Sequence, residues 1–449
     1  MSGPGGERDI SGFSIDTRTI AAGDLFIAIR GDRFDGNAYV AEAVRKGAAA
    51  AIVSDAALTG AAELAGTPLI VVPDTIVALQ TLANRVRRDS GTAVVAVTGS
   101  AGKSTTKEIT ATFLAARYNV FRNRGNLNNH IGLPLSLLEL RSKPDIGVLE
   151  LGMNHPGEIS ALVTIAEPEV RVWTNVGPAH LEFFGTVDAI AEAKAEILEG
   201  ATSDSLLVAN ADDDLVMRHA SRFAGRVRTF GVERPADVRA LAVRDLGVDG
   251  TAAIVRTPVG ETEIRTPLAG TANLSNVLAA AAVAIRFDIP LDDIVERAAG
   301  LKPVARRGEV IRVRGVTIID DSYNSNPKAL SRALALLGSE TRAARRIAVV
   351  GEMLELGAAS GDLHRGAGEQ AVRSNVNVLV AVGGANARAV ADGAMKAGLA
   401  ASEVHYVESS EAAADLVASI VKSGDIVLVK GSRGIRTEAV VDRLKVELP

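Results

Sequence analysis

From about residue 93 to the C-terminus, short apolar runs alternate with stretches whose apolar residues fall three or four apart. Continuous apolar runs of this length suit strands covered on both faces, and a helix between two of them is the connection that parallel strands require. The pattern predicts strands at 94–98, 146–151, 170–175, 205–210, 316–320, 346–351, 376–383 and 425–430. Residues 228–267 read instead as short antiparallel strands, followed by an alanine-rich helix over 273–286. The first 90 residues form a separate group, with strands at 25–29, 50–53 and 69–72 and helices at 39–46 and 76–88. The segment LKPVARRGEV, 301–310, concentrates proline, glycine and charge before a fresh strand, so a boundary falls there. The expected division is 1–90, 91–303 and 304–449, in an α/β fold of mostly parallel sheets. No internal repeat or low-complexity tract is evident.

Composition narrows this picture. The 449 residues leave room for domains of about 150 residues each. With 47% hydrophobic and only 3% aromatic residues, the cores must be aliphatic. A net charge of -5 gives no electrostatic reason to expect nucleic acid or an anionic membrane as partner. Cysteine is absent, which excludes disulfides, thiolate metal sites and cysteine nucleophiles together. No apolar run reaches the length of a membrane span, and Met1 to Arg8 is too polar for a signal peptide, so the cytoplasm is the expected location.

The chemistry starts at VVAVTGSAGKSTT, 94–106, an apolar strand leading through a glycine-rich turn into a helix. Gly99 and Gly102 let the backbone close around an anion, and Ser100, Ala101 and Thr105 complete a cradle of N–H groups at a helix N-terminus. Lys103 would neutralise β/γ-phosphate oxygens, and the Ser104 hydroxyl suits a magnesium ion. The full P-loop pattern has glycine where this chain has Val97, so the match is to a shortened version. A nucleoside triphosphate is the expected ligand.

In doubly wound sheets ligands gather at the carboxyl ends of strands. Glu150 closes one apolar strand, where its carboxylate could reach a magnesium on Ser104; the alternative is a solvated glutamate in a turn. His180 lies just past another strand, as a metal ligand or a structural histidine. Lys194 falls in AIAEAKAEIL, whose ordinary meaning is an amphipathic helix with an exposed lysine.

The segments DTRTIAAGDLFIAIRGDRFDGNAYV (16–40), TGSAGKSTTKE, NLNNHIGLPLSLLEL, LELGMNHPGEI, TNVGPAHLEFFG, AKAEIL, DDSYNSNP, GEMLELG and VLVKGSRGIRTEAVV (427–441) follow one another in an order that resembles the Mur ligases, the ATP-dependent amide-forming family of peptidoglycan synthesis. The likeness is strongest to members that attach D-alanyl-D-alanine to a UDP-N-acetylmuramoyl tripeptide. It implies three domains: a smaller N-terminal α/β domain holding the UDP-sugar, a central P-loop ATPase domain, and a C-terminal Rossmann-like domain. It also implies transfer of the γ-phosphoryl of ATP to the peptide carboxylate, and displacement of phosphate from that acyl phosphate by the incoming amine. Carboxylate and triphosphate repel each other, so cations must lie between them, here Lys103 and two magnesium ions.

Carried over by residue, the resemblance makes Ser104 and Glu150 ligands of one metal and His180 a ligand of the second, with Lys103, His180 and Lys194 as catalytic residues. Lys194 matches a lysine often carbamylated in the family. Asn273 and Asp321 match adenine and ribose contacts and Arg307 an ATP-contacting arginine; Ala272 stands where the motif usually has histidine. Asn126, Asn128 and Asn129 match a substrate-side loop. Thr17, Arg18 and the loop Asp32 to Asn37 match the UDP-sugar grip, with Thr17 where serine is commoner. Asn324, Asn326, Pro327, Lys430, Ser432 and Arg433 match the acceptor side, with Ser325 replacing an alanine. A monomer is expected. The rival readings are a Mur-type ligase adding one amino acid to a muramoyl dipeptide, and a P-loop nucleotide module without amide chemistry. Against the first, no Asp-Asn-Pro-Arg-like motif appears in the last third, where VAVGGANARAV stands in the comparable region.

Overall fold

The computed structural model describes residues 9–31 and 34–447. Met1 to Arg8 and, of the expected UDP-sugar loop, Asp32 and Arg33 lie outside the described residues. Three sheets follow one another along the chain. The first is wholly parallel, in the order β1 (Gly12–Ser14), β2 (Asp24–Ile27), β3 (Ala50–Val53) and β4 (Leu69–Val71). The helix Thr75–Ser90 follows, capped by Asp74, whose carboxylate accepts from Ile76 N and Val77 N. Leu79 and Ala83 share one core with Leu25 and Ile27 of the first sheet and with Leu133 and Leu137 of the helix Gly132–Leu138, which belongs to the central domain. The helix Thr75–Ser90 therefore cements the two domains together.

The second sheet contains β5 (Ala93–Thr98), β6 (Val120–Arg122), β7 (Ile146–Glu150), β8 (Val170–Trp173), β9 (Leu206–Asn210), β10 (Arg226–Gly231), β11 (Val238–Asp245), β12 (Thr251–Thr257) and β13 (Gly260–Thr266). They lie in the order β13-β12-β11-β10-β9-β8-β5-β7-β6. Val95 and Val97 of β5 point into one core, with Ile109 and Phe113 of the helix Lys103–Leu114, while Val94 and Ala96 point into the other. Such two-faced burial is why the strand reads as an unbroken apolar run. The alanine-rich helix Thr271–Arg286 is buried from Val277 to Ile285, because small side chains let it approach both the sheet and its neighbour helix.

The expectation of antiparallel strands over 228–267 holds for β11, β12 and β13 but not for β10. That strand runs parallel to β9, because the helix Asp214–Ala220 carries the chain back across the sheet between them. The three-residue strands β1 and β6 are too short to leave a periodic signal.

The third sheet has the order β14-β15-β19-β16-β17-β18, from β14 (Glu309–Val313), β15 (Val316–Asp321), β16 (Arg346–Gly351), β17 (Val378–Val382), β18 (Val404–Val407) and β19 (Ile426–Lys430). Only the β14–β15 hairpin is antiparallel. Helices cover both faces, giving two separate cores. Among the described residues no helix is long and apolar enough to cross a membrane.

Buried polar groups fix two junctions that matter for the site. Arg171 of β8 is almost fully buried and donates to the carbonyls of Ile197 (2.9 Å), Pro168 (2.6 Å) and Glu199 (3.1 Å). It thereby holds the end of the segment that carries Lys194. Burial, opposed by Glu169, pulls its pKa down to about 10. Between the second and third sheets, Glu340 accepts two bonds from the Arg342 guanidinium at 2.8 Å, and Arg342 reaches Asp249 at 2.8 Å. Arg312 pairs with the same aspartate.

The Arg342 hydrogen bonds, opposed by desolvation, lower the Glu340 pKa to about 2 from an ordinary 4.5. A depressed carboxylate pKa stabilises the fold above the unfolded value and loses that contribution as pH falls through the folded one. The stability difference between the wild-type protein and Glu340→Gln should therefore be full above pH 4.5 and close as the pH approaches about 2. Denaturation midpoints of both proteins across that range check this, and a gap independent of pH would refute it.

Candidate functional site

β5 ends at Thr98 and the chain turns through Gly99 (φ 148°) and Gly102 (φ 84°) into the helix Lys103–Leu114. Both glycines are required by space as well as by φ. A Cβ on Gly99 would collide with Thr174 Oγ1, and one on Gly102 would lie 2.5 Å from Asn276 Oδ1. The loop is braced from the end of β8: Asn175 accepts from Ala101 N (3.0 Å) and donates to its carbonyl (2.9 Å), and Thr174 Oγ1 donates to the same carbonyl (2.7 Å). Lys103 folds back to donate to Gly99 O at 2.8 Å.

Beside this loop, Ser104 Oγ donates to Glu150 Oε2 at 2.5 Å and Asn128 Nδ2 donates to Glu150 Oε1 at 2.8 Å. The Glu150 backbone N–H is received by Asn123 Oδ1 at 2.9 Å. Glu150 is buried, so the solvated-turn alternative does not apply. Burial pushes its pKa upward, but the Lys103 charge, the Ser104 bond and Arg307 outweigh it, and the carboxyl titrates below its ordinary value. Burial also lowers the pKa of Lys103, with Glu150 opposing and Arg307 adding to the effect.

Lys194 departs from the exposed amphipathic reading. It is buried, and desolvation, reinforced by Lys103, carries its pKa well below 10.5. His180 has a left-handed backbone (φ 60°), and its Nδ1 lies 2.6 Å from Glu355 Oε2 of the C-terminal domain. That hydrogen bond, opposed by desolvation, lowers the Glu355 pKa.

The phosphate loop, Glu150 and His180 line one cavity of about 790 Å³ between the second and third sheets. Ser100, Ala101, Gly102, Lys103, Ser104 and Thr105 form one wall, and Asn126, Asn128, Asn129, Glu150 and His180 surround it. Asn273 faces them from the helix Thr271–Arg286, and Arg307, Asp321, Asn324, Asn326 and Lys430 come from the C-terminal domain. Tyr323 also lines it, with the Arg307 guanidinium 4.2 Å from its ring centre and that of Arg433 at 5.4 Å. Lys430 is buried and donates to Asp321 Oδ2 (2.6 Å) and Asn324 O (2.9 Å), so it fixes those two residues. Ser432 Oγ receives Leu354 N (2.9 Å) and lies 3.4 Å from Ser325 O.

The cavity does not include Thr17, Arg18, Lys194, Ser432 or Arg433. Arg18 forms a pair with Asp16 on the surface of the N-terminal domain and lowers that carboxyl to a pKa of about 2. Several contributors were not read from the sequence. Asn123, Thr174 and Asn175 each lie just past a strand, the position that singled out Glu150 and His180. Asn276 and Glu355 carry no local signal, since only the fold brings them to the site.

Family models match the chain in three successive segments: the Mur ligase family catalytic domain over 9–87, the Mur ligase middle domain over 97–284, and the Mur ligase glutamate ligase domain over 306–433. The chain belongs to the Mur ligase family. Among individual Mur ligases, it is 34% identical over 439 residues to the UDP-N-acetylmuramoyl-tripeptide--D-alanyl-D-alanine ligase of Bacillus subtilis, covering 97% of this chain and 93% of that one. It is similar to a crystal structure of MurF from Acinetobacter baumannii, with a TM-score of 0.88 and 31% identity over 97% and 93% of the two chains. The MurF ligase from Thermotoga maritima in complex with ADP gives a TM-score of 0.85 and 31% identity over 97% of each chain.

In this Mur ligase the phosphate loop and the helix Thr271–Arg286 meet at Gly102. Gly102→Ala should weaken ATP binding about ten-fold, through about 1–3 kcal/mol of backbone strain together with the Asn276 clash. Titration with a fluorescent ATP analogue measures it, and unchanged affinity would contradict this account of the loop.

Proposed function

We propose that the protein joins D-alanyl-D-alanine to UDP-N-acetylmuramoyl-tripeptide at the expense of ATP, through an acyl phosphate, in peptidoglycan synthesis. The observation that carries this is the convergence of Lys103, Ser104 and Glu150 with Arg307 and Asp321 of another domain on one cavity. A simple nucleotide switch needs no such second wall. The single-amino-acid ligase is disfavoured because the relatives at about 34% identity bear the D-alanyl-D-alanine ligase name. A diaminopimelate ligase is only 21% identical and attests the fold alone.

The reaction follows from charge. The phosphate loop and Lys103 hold the β- and γ-phosphates while Arg307 adds positive charge from the opposite wall, so the tripeptide carboxylate can approach an anion. A carboxylate oxygen attacks the γ-phosphorus and ADP departs. The free amine of D-alanyl-D-alanine then attacks the acyl carbon, its proton is lost, and phosphate leaves with the carboxylate oxygen. The residues present fit magnesium: Ser104 Oγ and Glu150 Oε2 are hard oxygen donors side by side. Among the described residues no three or more His, Cys, Asp or Glu are grouped so as to hold a metal, so an ion on Ser104 and Glu150 would have to take its remaining ligands from phosphate and water. Magnesium bound there supplies positive charge to the phosphates. His180 fits a second ion through Nε2, because a carboxylate on Nδ1 is the usual companion of a ligating histidine.

Carbamylation of Lys194 fits its buried place beside Lys103, where desolvation disfavours the ammonium; the deprotonated amine would attack carbon dioxide and lose a proton to give a carbamate anion. Thr17, Arg18 and the loop Asp32 to Asn37 would hold the UDP-sugar on the N-terminal domain. Asn273 and Asp321 would hold adenosine, and Asn126, Asn128 and Asn129 the peptide. Asn324 and Asn326 would face the dipeptide, with Arg433 for its carboxylate and Lys430 and Ser432 setting the loop. A monomer working in the cytoplasm belongs to the same proposal.

Incubation with ATP, magnesium, each muramoyl peptide and each amine decides the matter. Phosphate and ligated product should form with the tripeptide and D-alanyl-D-alanine; product from a single amino acid on the dipeptide would overturn the proposal. Lys103→Ala should lower kcat by about a thousand-fold or more while the protein stays folded by circular dichroism, with some loss of melting temperature because buried Glu150 loses its compensating charge. Retention of substantial turnover would remove its phosphate role. For Lys194→Ala, formate or acetate should restore part of the lost activity by replacing the carbamate oxygens. Near-normal activity without added acid would rule out the carbamate.

A further inference from the structure

The helix Pro327–Ser339 of the C-terminal domain touches residues just past β8, β9 and β11, and its two ends are held differently. At its C-terminal end, Glu340, Arg342, Asp249 and Arg312 form the multiple-bond cluster described above. At its N-terminal end the charged bridge between the domains is Lys328, next to the cap residue Asn326. Lys328 Nζ donates to Val176 O at 3.0 Å and to Asp213 Oδ2 at 3.2 Å. Asp213 Oδ2 also receives Val176 N at 2.9 Å, so the ammonium closes a three-membered network. The lysine stem lies flat against the turn, where a Cβ on Gly177 would come within 3.1 Å of Lys328 Cδ.

That turn is the outer support of the phosphate loop. Ser100 N donates to Asn175 O at 3.0 Å, Gly177 N donates to Ser100 Oγ at 3.0 Å, and Ser100 Oγ donates to Gly177 O at 3.1 Å. Beside Lys328, Asn326 Nδ2 approaches Ser100 O at 3.5 Å. The His180–Glu355 contact and the bond from Glu182 N to Glu355 O at 3.0 Å flank the same junction. Lys328, Val176 and Asp213 are not among the cavity-lining residues, so Lys328 reaches the reacting groups only through others.

We propose that Lys328 is a positioning residue, a latch that seats the C-terminal domain on the turn supporting the phosphate loop and so brings Asn324 and Asn326 over the transferred phosphoryl group. This rests on the ligase reading above. The ammonium matters most at phosphoryl transfer, the step that needs both domains in register.

Lys328→Met keeps the stem and removes the charge. Its kcat should fall about ten- to a hundred-fold, the scale of a small misplacement of reacting groups. KM for the muramoyl tripeptide should stay within about two-fold, while KM for ATP, which Arg307 and Asp321 of the seated domain would also contact, should rise by less than kcat falls. Lys328→Arg should recover most of the rate, and small-angle scattering with a bound ATP analogue should show a larger radius of gyration for the methionine variant. The latch is overturned by an unchanged kcat, by a rise in KM for ATP at constant kcat, or by melting temperatures that fall in step with activity in both variants. Were the unsubstituted enzyme inactive with this substrate pair, the ligase reading would fall instead, and the scattering comparison would still decide the latch.

Discussion

A carboxylate and two lysines share a space that water hardly reaches, and the site is organised around keeping them compatible. Glu150 pays for its desolvation with the Lys103 charge and with donors from Ser104 and Asn128. Lys194 has no comparable partner, and burial and the Lys103 charge both disfavour its ammonium form. Removing one partner of such a group strands the other in a medium of low polarity, which costs more than the pair gains by forming. The strand end, the loop and the buried lysine are therefore mutually dependent rather than a set of separable contacts.

The supporting framework is aliphatic, and its regularity made it legible. Two-faced burial of β5, β7, β8 and β9 produced continuous apolar runs, so these four strands at the centre of the sheet could be read one by one. Legibility failed where pairing depends on distant chain. Nothing in 226–231 distinguishes a strand parallel to β9 from one arm of a meander; the helix before it decides the direction. β18, half-buried along its length, lacks the apolar density that marked β16 and β17.

The site was legible in the same measure. Gly99 to Thr105, Glu150 and His180 were found because they stand where strands end, a rule that refers only to local order. Lys194 was not distinguishable from a surface lysine, since its burial is created by Arg171 and the packing of the helix Val187–Ala195. Contacts between domains, such as His180 with Glu355, bring together residues 175 positions apart, and no spacing rule encodes them.

The polar chain from Thr106 Oγ1 to Asn276 (3.2 Å), on to Asn273 (3.4 Å) and Ala269 O (2.9 Å) ties the two walls of the nucleotide cleft into one piece. Gly102 sits directly against the same Asn276. Evolutionary drift at any of these positions is consequently not independent of the others: a lineage that enlarges the glycine must relocate an asparagine, and with it the residue proposed to meet adenine. Such positions are expected to change in concert or not at all, whereas the aliphatic layers beneath them are free to exchange one hydrocarbon shape for another.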